Sequence, residues 1–224
     1  MTGMAMPGGS ALSITWLRMP GQTWPGAAAS FLAAWVVMMV AMMLPALVPV
    51  LERYAGIAGT LPRPRPAGLT AVAGAGYFAV WAVVGAAAYP LGVTLTVGAL
   101  RWPPVARAAP LATAAVLLLA GALQFTRWKL FHLRCCRDCR PSAPPSPGGA
   151  WRYGLAVGGH CVLCCAGYMS ALLALGMMNL GTVALVASAI SLERLAPWPE
   201  RVVRVAGVVL VGTGAWTVLR IMAR

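Results

Sequence analysis

Long apolar runs, separated by short polar or basic segments, make up most of this chain of 224 residues. Several run for roughly 20 residues without a charge, which is the length that an α-helix needs to cross a hydrocarbon core of ~30 Å. A shorter apolar run at 182–192 follows Asn179 and Gly181 and is too short for an upright crossing. We therefore predict an all-α fold, a polytopic transmembrane helical bundle with five to six membrane-crossing helices. The longer runs predict helices at about 27–51, 68–95, 108–125, 154–178 and 202–222.

The composition supports this class. Hydrophobic residues make up 60% of the chain and charged residues only 9%, whereas about a quarter of a soluble domain is charged. The net charge of +13 does not indicate nucleic acid, because the Lys and Arg residues lie in short connections between apolar runs rather than on one basic face. The expected surroundings are a lipid bilayer, and nucleic acid is not an expected partner.

The distribution of positive charge predicts an orientation. With six crossings, twelve of the 17 Lys and Arg residues fall on one side of the membrane. The positive-inside rule then places the N-terminus outside and the 126–153 connection in the cytoplasm. We predict a single integral membrane domain over 1–224 in the bacterial inner (cytoplasmic) membrane. It would carry a short external leader at 1–26 and a Cys/Arg-rich cytoplasmic loop at 126–153.

The fourth predicted helix contains a concentrated set of soft metal ligands, HCVLCCAGYM at 160–169. Because each helical residue advances ~100° around the axis, three thiols share one face within roughly 100° of arc: Cys161, Cys164 and Cys165. His160 extends this face on one side and Met169 on the other, so one ion cannot easily use both. The predicted ligand set is the three thiols, with either His160 or Met169 as an outer ligand.

The first predicted helix carries a second sulfur-rich stretch, WVVMMVAMMLP at 35–45. Its methionines form two neighbouring ridges at i, i+4 spacing, Met38 with Met42 and Met39 with Met43. Counting 1.5 Å per residue from the cytoplasmic ends of the two helices puts both clusters ~12 Å into the membrane. The methionines and the thiols can therefore face each other. Methionine also serves as packing filler in helices, so a packing role stays open.

The basic connection contains FHLRCCRDCR at 131–140, where Cys136 and Cys139 have the CxxC spacing of metal sites and redox motifs. Palmitoylation or incidental thiols are the alternatives. This segment adds four candidate metal ligands: His132, Cys135, Cys136 and Cys139. Three arginines interleave with the thiols and are expected to depress their pKa values: Arg134, Arg137 and Arg140. Glu52 and Glu193 each precede an arginine at a predicted helix end, and we expect them to form structural ion pairs or interface anchors.

The ligand types indicate a soft metal. Thiolate and thioether sulfur prefer soft ions, chiefly copper(I), and thiolate also binds zinc. No Asp or Glu lies in the middle of a predicted span, which argues against a pathway for hard cations or protons. We predict a non-enzymatic membrane protein that binds copper(I), or else zinc or another soft metal, for transport or for delivery. The expected protein partner is a metallochaperone or a copper enzyme.

Two other functions fit the same residues. Vicinal and CxxC cysteines also carry out thiol–disulfide exchange, so a membrane redox protein is the first alternative. A non-catalytic assembly subunit of a membrane complex is the second. It is favoured by a face of small residues suited to close helix contact: Gly74, Gly76, Ala79 and Ala82.

Four stretches of the chain, in order, carry a family resemblance: WVVMMVAMMLPALVP, GYFAVWAVVG, LQFTRWKLFHLRCCRDC and HCVLCCAGYMSALLALGMMNL. Between about Trp24 and Val218 the sequence resembles the bacterial predicted metal-binding integral membrane proteins. The two signature stretches, AMMLP and Cys-Cys-x-Gly-x-Met, stand here as Ala41–Pro45 and Cys164–Met169. The resemblance implies an integral membrane protein that binds a metal.

Overall fold

A computed structural model describes residues 16, 18, 21–59, 66–141, 146–177 and 179–223. Within these ranges the chain forms seven α-helices and no β-strand, which confirms the predicted all-α class. The helices are α1 (Trp24–Ala58), α2 (Pro66–Arg101), α3 (Pro103–Gln124), α4 (Arg127–Asp138), α5 (Pro147–Leu175), α6 (Leu180–Leu195) and α7 (Pro199–Met222).

Five of the helices in the described ranges are long and apolar enough to cross a membrane: α1, α2, α3, α5 and α7. They confirm the predicted helical bundle and fit a multi-pass membrane protein. The 16-residue α6 is shorter than the ~20 residues of an upright crossing. The apolar run at 182–192 therefore corresponds to a short helix between two spans.

Several helices begin earlier than hydropathy predicted, and at α1 and α5 a side-chain cap rather than the apolar run sets the first turn. The Ser146 hydroxyl accepts a hydrogen bond from Gly149 N at 3.0 Å, and Pro147 occupies the first helical position, where its missing N–H leaves no bond unmade. The predicted start of this helix near Gly154 was therefore wrong by about two turns. Most of the predicted leader at 1–26 lies outside the described residues, and α1 already begins at Trp24.

The connection predicted at 126–153 is largely helical. Thr126 caps α4 by accepting a hydrogen bond from Lys129 N at 3.3 Å, and α5 takes up the chain again from Pro147. α4 folds back along α5 in the antiparallel sense. Its first turn lies at Cys164, and the residue after its last turn lies at Tyr153. This return brings the cysteines of α4 to the cysteines of α5.

Close approach of α5 to α2 depends on glycine. A Cβ added to Gly154 would lie 2.0 Å from the carbonyl oxygen of Ala73, and one added to Gly76 would lie 2.7 Å from that of Trp151. Small residues of this kind let membrane helices pack backbone to backbone. Gly76 belongs to the face of small residues that the sequence suggested for contact with partner subunits. In the structure it instead contacts α5 of the same chain.

Candidate metal centre

Four buried thiols from two helices meet in the core: Cys136 on α4, and Cys161, Cys164 and Cys165 on α5. We call these four residues the thiol cluster. The Sγ atoms of Cys161 and Cys165 are 3.9 Å apart, and the thiols of Cys136 and Cys164 share a hydrogen bond. Two sulfurs on one tetrahedral ion with bonds of ~2.3 Å lie about 3.8 Å apart. The Cys161–Cys165 separation is thus already close to that of a ligand pair.

A positive charge borders the thiol cluster. Arg194 of α6 is only 6% exposed, and its Nη2 lies 3.4 Å from Cys136 Sγ and 4.0 Å from Cys165 Sγ. Its Nε and Nη1 atoms have no hydrogen-bond partner among the described residues. Because arginine stays protonated in proteins, this guanidinium is a fixed cation against sulfur, a setting that favours the thiolate form.

A buried ion pair lies next to the cluster and neutralises itself. Lys129 Nζ lies 2.7 Å from Glu193 Oε2, and both side chains are almost fully buried. Lys129 also donates to the carbonyl oxygen of Cys164 at 2.8 Å, and the Tyr168 hydroxyl donates to the other carboxylate oxygen of Glu193. The prediction of an ion pair at Glu193 is confirmed. Since Glu193 is engaged with Lys129 and Tyr168, the positive charge of Arg194 is left for the thiols to balance.

Two histidines lie beside the cluster and contact each other. The Nδ1 atoms of His132 on α4 and His160 on α5 are 3.0 Å apart, a hydrogen-bond distance. Trp128 and Phe131 pack edge-on against the His132 ring. Burial, helped by the neighbouring His160, lowers the pKa of His132. The imidazole is therefore neutral at pH 7, the form that can bind a metal.

Residues of α2 and of the second half of α5 complete the surroundings of the cluster. The Tyr77 hydroxyl of α2 is hydrogen-bonded to Cys161 Sγ at 2.9 Å. Met169, the predicted outer ligand beyond Cys165, is buried in the same core. Tyr77 reaches the thiols because Gly76 and Gly154 allow α2 and α5 to approach closely.

The thiols of α4 differ in position. Cys136 is buried in the cluster, whereas Cys135 and Cys139 are only partly buried. The prediction that interleaved arginines depress thiol pKa values was wrong for two of them. The hydrogen bond to Cys164 and burial raise the pKa of Cys136, and burial with the neighbouring Cys135 raises that of Cys139. At Cys136 the hydrogen bond to Cys164 and desolvation outweigh the charge of Arg194, and at Cys139 desolvation outweighs the charge of Arg53.

The methionines of α1 share the core with the thiols. Met39, Met42 and Met43 are buried, while Met38 is partly exposed at the edge of the same core. α1 packs mainly on α2 and α6, whereas α5 packs mainly on α2, α3 and α4. The two sulfur clusters are therefore joined through a common core rather than through an extensive α1–α5 interface.

No three His, Cys, Asp or Glu side chains among the described residues stand in an arrangement ready to hold a metal ion. The thiols are engaged with one another, with Tyr77 and with Arg194. Coordination would exchange these weak bonds for metal–sulfur bonds through rotation of the cysteine side chains. The donor set, several thiols beside a fixed cation, fits a soft ion of low charge.

Comparison with known proteins identifies the family of this chain. A sequence profile described as "PpoB2: Copper chaperone" matches residues 32–217, which extend from the first turns of α1 into α7 and include all four residues of the thiol cluster. No curated protein and no solved structure matches the chain significantly. The match covers most of the chain, and this protein therefore belongs to the PpoB2 copper chaperone family.

Proposed function

We propose that this protein is a membrane-embedded copper chaperone that binds Cu(I) at the thiol cluster and delivers it to a partner protein. The observation that carries the proposal is the meeting of Cys136 of α4 with the thiols of α5 in a buried core. Thiolate ligands favour soft metals, Cu(I) and zinc among them. Membership of a copper chaperone family supports copper over zinc.

Charge balance explains how such an ion is held inside the bundle. Burial of an isolated charge is costly unless an opposite charge accompanies it. Two thiolates and one Cu(I) carry one net negative charge, which the guanidinium of Arg194 offsets at 3.4 Å from Cys136 Sγ. The Lys129–Glu193 pair adds no net charge. A divalent ion on the same two thiolates would leave Arg194 uncompensated, which favours a monovalent metal.

The soft ligands around the cluster define a path for copper. The imidazoles of His132 and His160 and the thioether of Met169 border the thiols, and the methionines of α1 extend the same core. The partly buried Cys135 and Cys139 continue the sulfur ligands toward the end of α4. The positive-inside rule supports a cytoplasmic position for this end of the bundle in the bacterial inner membrane.

Metal content tests the copper site directly. The protein would be purified anaerobically in detergent after growth with copper, and copper, zinc and iron would be measured. We expect near-stoichiometric copper in the wild type, its loss in the Cys161/Cys164/Cys165→Ser variant, and its retention in Cys135→Ser, the matched control outside the cluster. An unmetallated wild type that forms a reversible disulfide would reject the proposal in favour of the redox alternative.

Delivery and transport are separated by reconstitution. The protein would be placed in liposomes that contain a Cu(I)-sensitive dye, and a Cu(I) complex would be added outside. Delivery to a membrane partner predicts copper bound to the protein with no saturable uptake into the lumen. Uptake that the triple Ser variant abolishes would instead assign a transport function to the same thiols.

A further inference from the structure

A cavity of about 230 Å³ opens beside the thiol cluster, between α1, α4 and α6. Its rim is exposed, since the side chains of Arg53 and Asp138 are 53% and 80% accessible. Its floor is buried and includes Cys136 and Arg194. Cys136 is thus the one member of the thiol cluster that lines this cavity.

The charges of the cavity favour an anion. Three arginines line it against a single carboxylate: Arg53, Arg137 and Arg194 against Asp138. Arg137 is partly engaged, since it donates to the carbonyl oxygens of Glu193 and Ala196 at 3.1 and 2.8 Å. Arg194 keeps two nitrogens without a hydrogen-bond partner in the described structure. Buried donors without a partner are costly, and a carboxylate bound at the floor of the cavity would give Arg194 a charge-assisted hydrogen bond.

This lining would repel a free cuprous ion and attract an anionic copper complex. We propose that the cavity is the port through which copper enters as an anionic complex of Cu(I) with small carboxylate-bearing thiols. The inference rests on the proposed copper-binding function and adds the chemical form of the metal donor. Cytosolic metal ions meet a large pool of reduced small thiols, which fits the predicted cytoplasmic position of this end of the bundle.

Loading is then a ligand exchange without a change of oxidation state. The Cys136 sulfur forms a bond to Cu(I), one bond between Cu(I) and the small thiol breaks, and the Cys136 proton passes to the departing thiolate. Copper stays at +1 and the net charge is unchanged. The arginines hold the carboxylates of the incoming complex, and the thiols of α5 then complete the transfer by displacing the second small thiol.

The test compares rates of copper uptake from donors of opposite charge. The full-length protein in detergent would receive Cu(I) from its glutathione complex, which is anionic, or from its cysteamine complex, which carries ammonium groups. We expect Arg53→Gln to slow loading from the glutathione complex about tenfold, because electrostatic attraction raises association rates by such factors, and not to slow loading from cysteamine. Asp138→Asn should speed loading from the glutathione complex, since it removes the only acidic side chain of the lining.

Arg134→Gln is the matched control, because Arg134 lies on the same helix, is exposed, pairs with Glu200 and is not part of the lining. It should leave both rates unchanged. Equal effects of Arg53→Gln on both donors, or an Asp138→Asn variant that loads no faster, would overturn the port. Wild-type protein that takes copper only from a protein donor would also overturn it. None of these results changes the amount of copper that the wild type binds at equilibrium. A wild type that binds no copper at equilibrium would instead reject the proposed function itself.

Discussion

The two sulfur-rich regions of the molecule differ in what surrounds them. The thiol cluster lies among Arg194, the Lys129–Glu193 pair and the Tyr77 hydroxyl. The methionines of α1 lie on a buried stripe that continues in both directions with apolar side chains, Trp35 on one side and Leu47 on the other. One region combines sulfur with charge, and the other combines sulfur with hydrocarbon.

This difference is the one expected if the thiol cluster is the reactive site and the methionines of α1 serve packing. Buried charges in a core of apolar helices are costly unless they are paired or hydrogen-bonded, so a region needed only for packing gains nothing from them. Methionine, in contrast, fills irregular gaps in an apolar core without any polar partner. We therefore expect changes around the cysteines to have large effects, and changes among the methionines to have small ones.

Removal of Glu193 should have the largest effect on stability. Glu193→Ala would leave the buried ammonium of Lys129 without its partner at 2.7 Å, and breaking a buried pair from one side costs about 3–5 kcal/mol. A thermal-unfolding assay in detergent would measure this as a large fall in Tm.

The exposed pair between Arg134 and Glu200 is the control for this experiment. Its atoms approach to 3.0 Å, but the side chains are 72% and 48% exposed, so Glu200→Ala should cost no more than about 1 kcal/mol. Removing both partners, in Lys129→Met with Glu193→Gln, should restore much of the lost stability. If Glu193→Ala and Glu200→Ala were equally mild, the charges at the cluster would be of little structural importance.

The second largest effect is expected on copper affinity, and it should follow substitution of only one of two adjacent cysteines. Cys136 is buried against Cys164, whereas Cys135 is only partly buried. We expect Cys136→Ser to weaken Cu(I) binding about 100-fold, or ~2.7 kcal/mol, and Cys135→Ser to leave it nearly unchanged. Competition with a Cu(I)-specific chelator measures both affinities. Equal losses in the two variants would place the site on the exposed side of α4 and outside the thiol cluster.

The packing that holds the thiol face in place gives a third, smaller effect. Gly154→Ala would put a Cβ 2.0 Å from Ala73 O, while Gly159 has no atom within 4 Å of the same position. Forcing the helices apart should cost about 1–3 kcal/mol. Gly159→Ala should be neutral or stabilising by up to ~1 kcal/mol, because alanine favours the helix. If the Tm values of the two variants moved in the same direction, a close α2–α5 contact would be contradicted.

Local patterns in the sequence were sufficient to predict the five long helices and the arrangement of the three thiols on one face of α5. Apolar runs of membrane length predicted the spanning helices, and the periodicity of one helix placed Cys161, Cys164 and Cys165 together. Hydropathy could not predict α4, because its twelve residues include charged and polar side chains throughout. For that reason the sequence left the partnership of Cys136 with α5 undefined.

The charges around the cluster were missed for a different reason. Lys129 and Glu193 are 64 positions apart, and nothing local to either residue indicates the other. One signal was present, the adjacent Glu193 and Arg194 at the end of an otherwise apolar run. It predicted an ion pair, which is found. The contact of Arg194 with the thiols depends on α4 and α6 meeting beside α5, and a helical pattern does not predict such tertiary contacts.

The smallest effect is expected at the methionines, and substitutions there test whether the two sulfur-rich regions really differ in function. Met39 and Met43 are fully buried, and replacing them with leucine nearly conserves volume, so Met39→Leu with Met43→Leu should cost less than about 1.5 kcal/mol per site. Leucine keeps the apolar contacts and removes only the thioether lone pairs. If the thiols hold copper at rest, Cu(I) affinity should change less than about threefold, a shift below 0.7 kcal/mol. A tenfold loss of affinity without loss of Tm would make the methionines resident ligands, and the copper site would then extend from α5 across the shared core to α1.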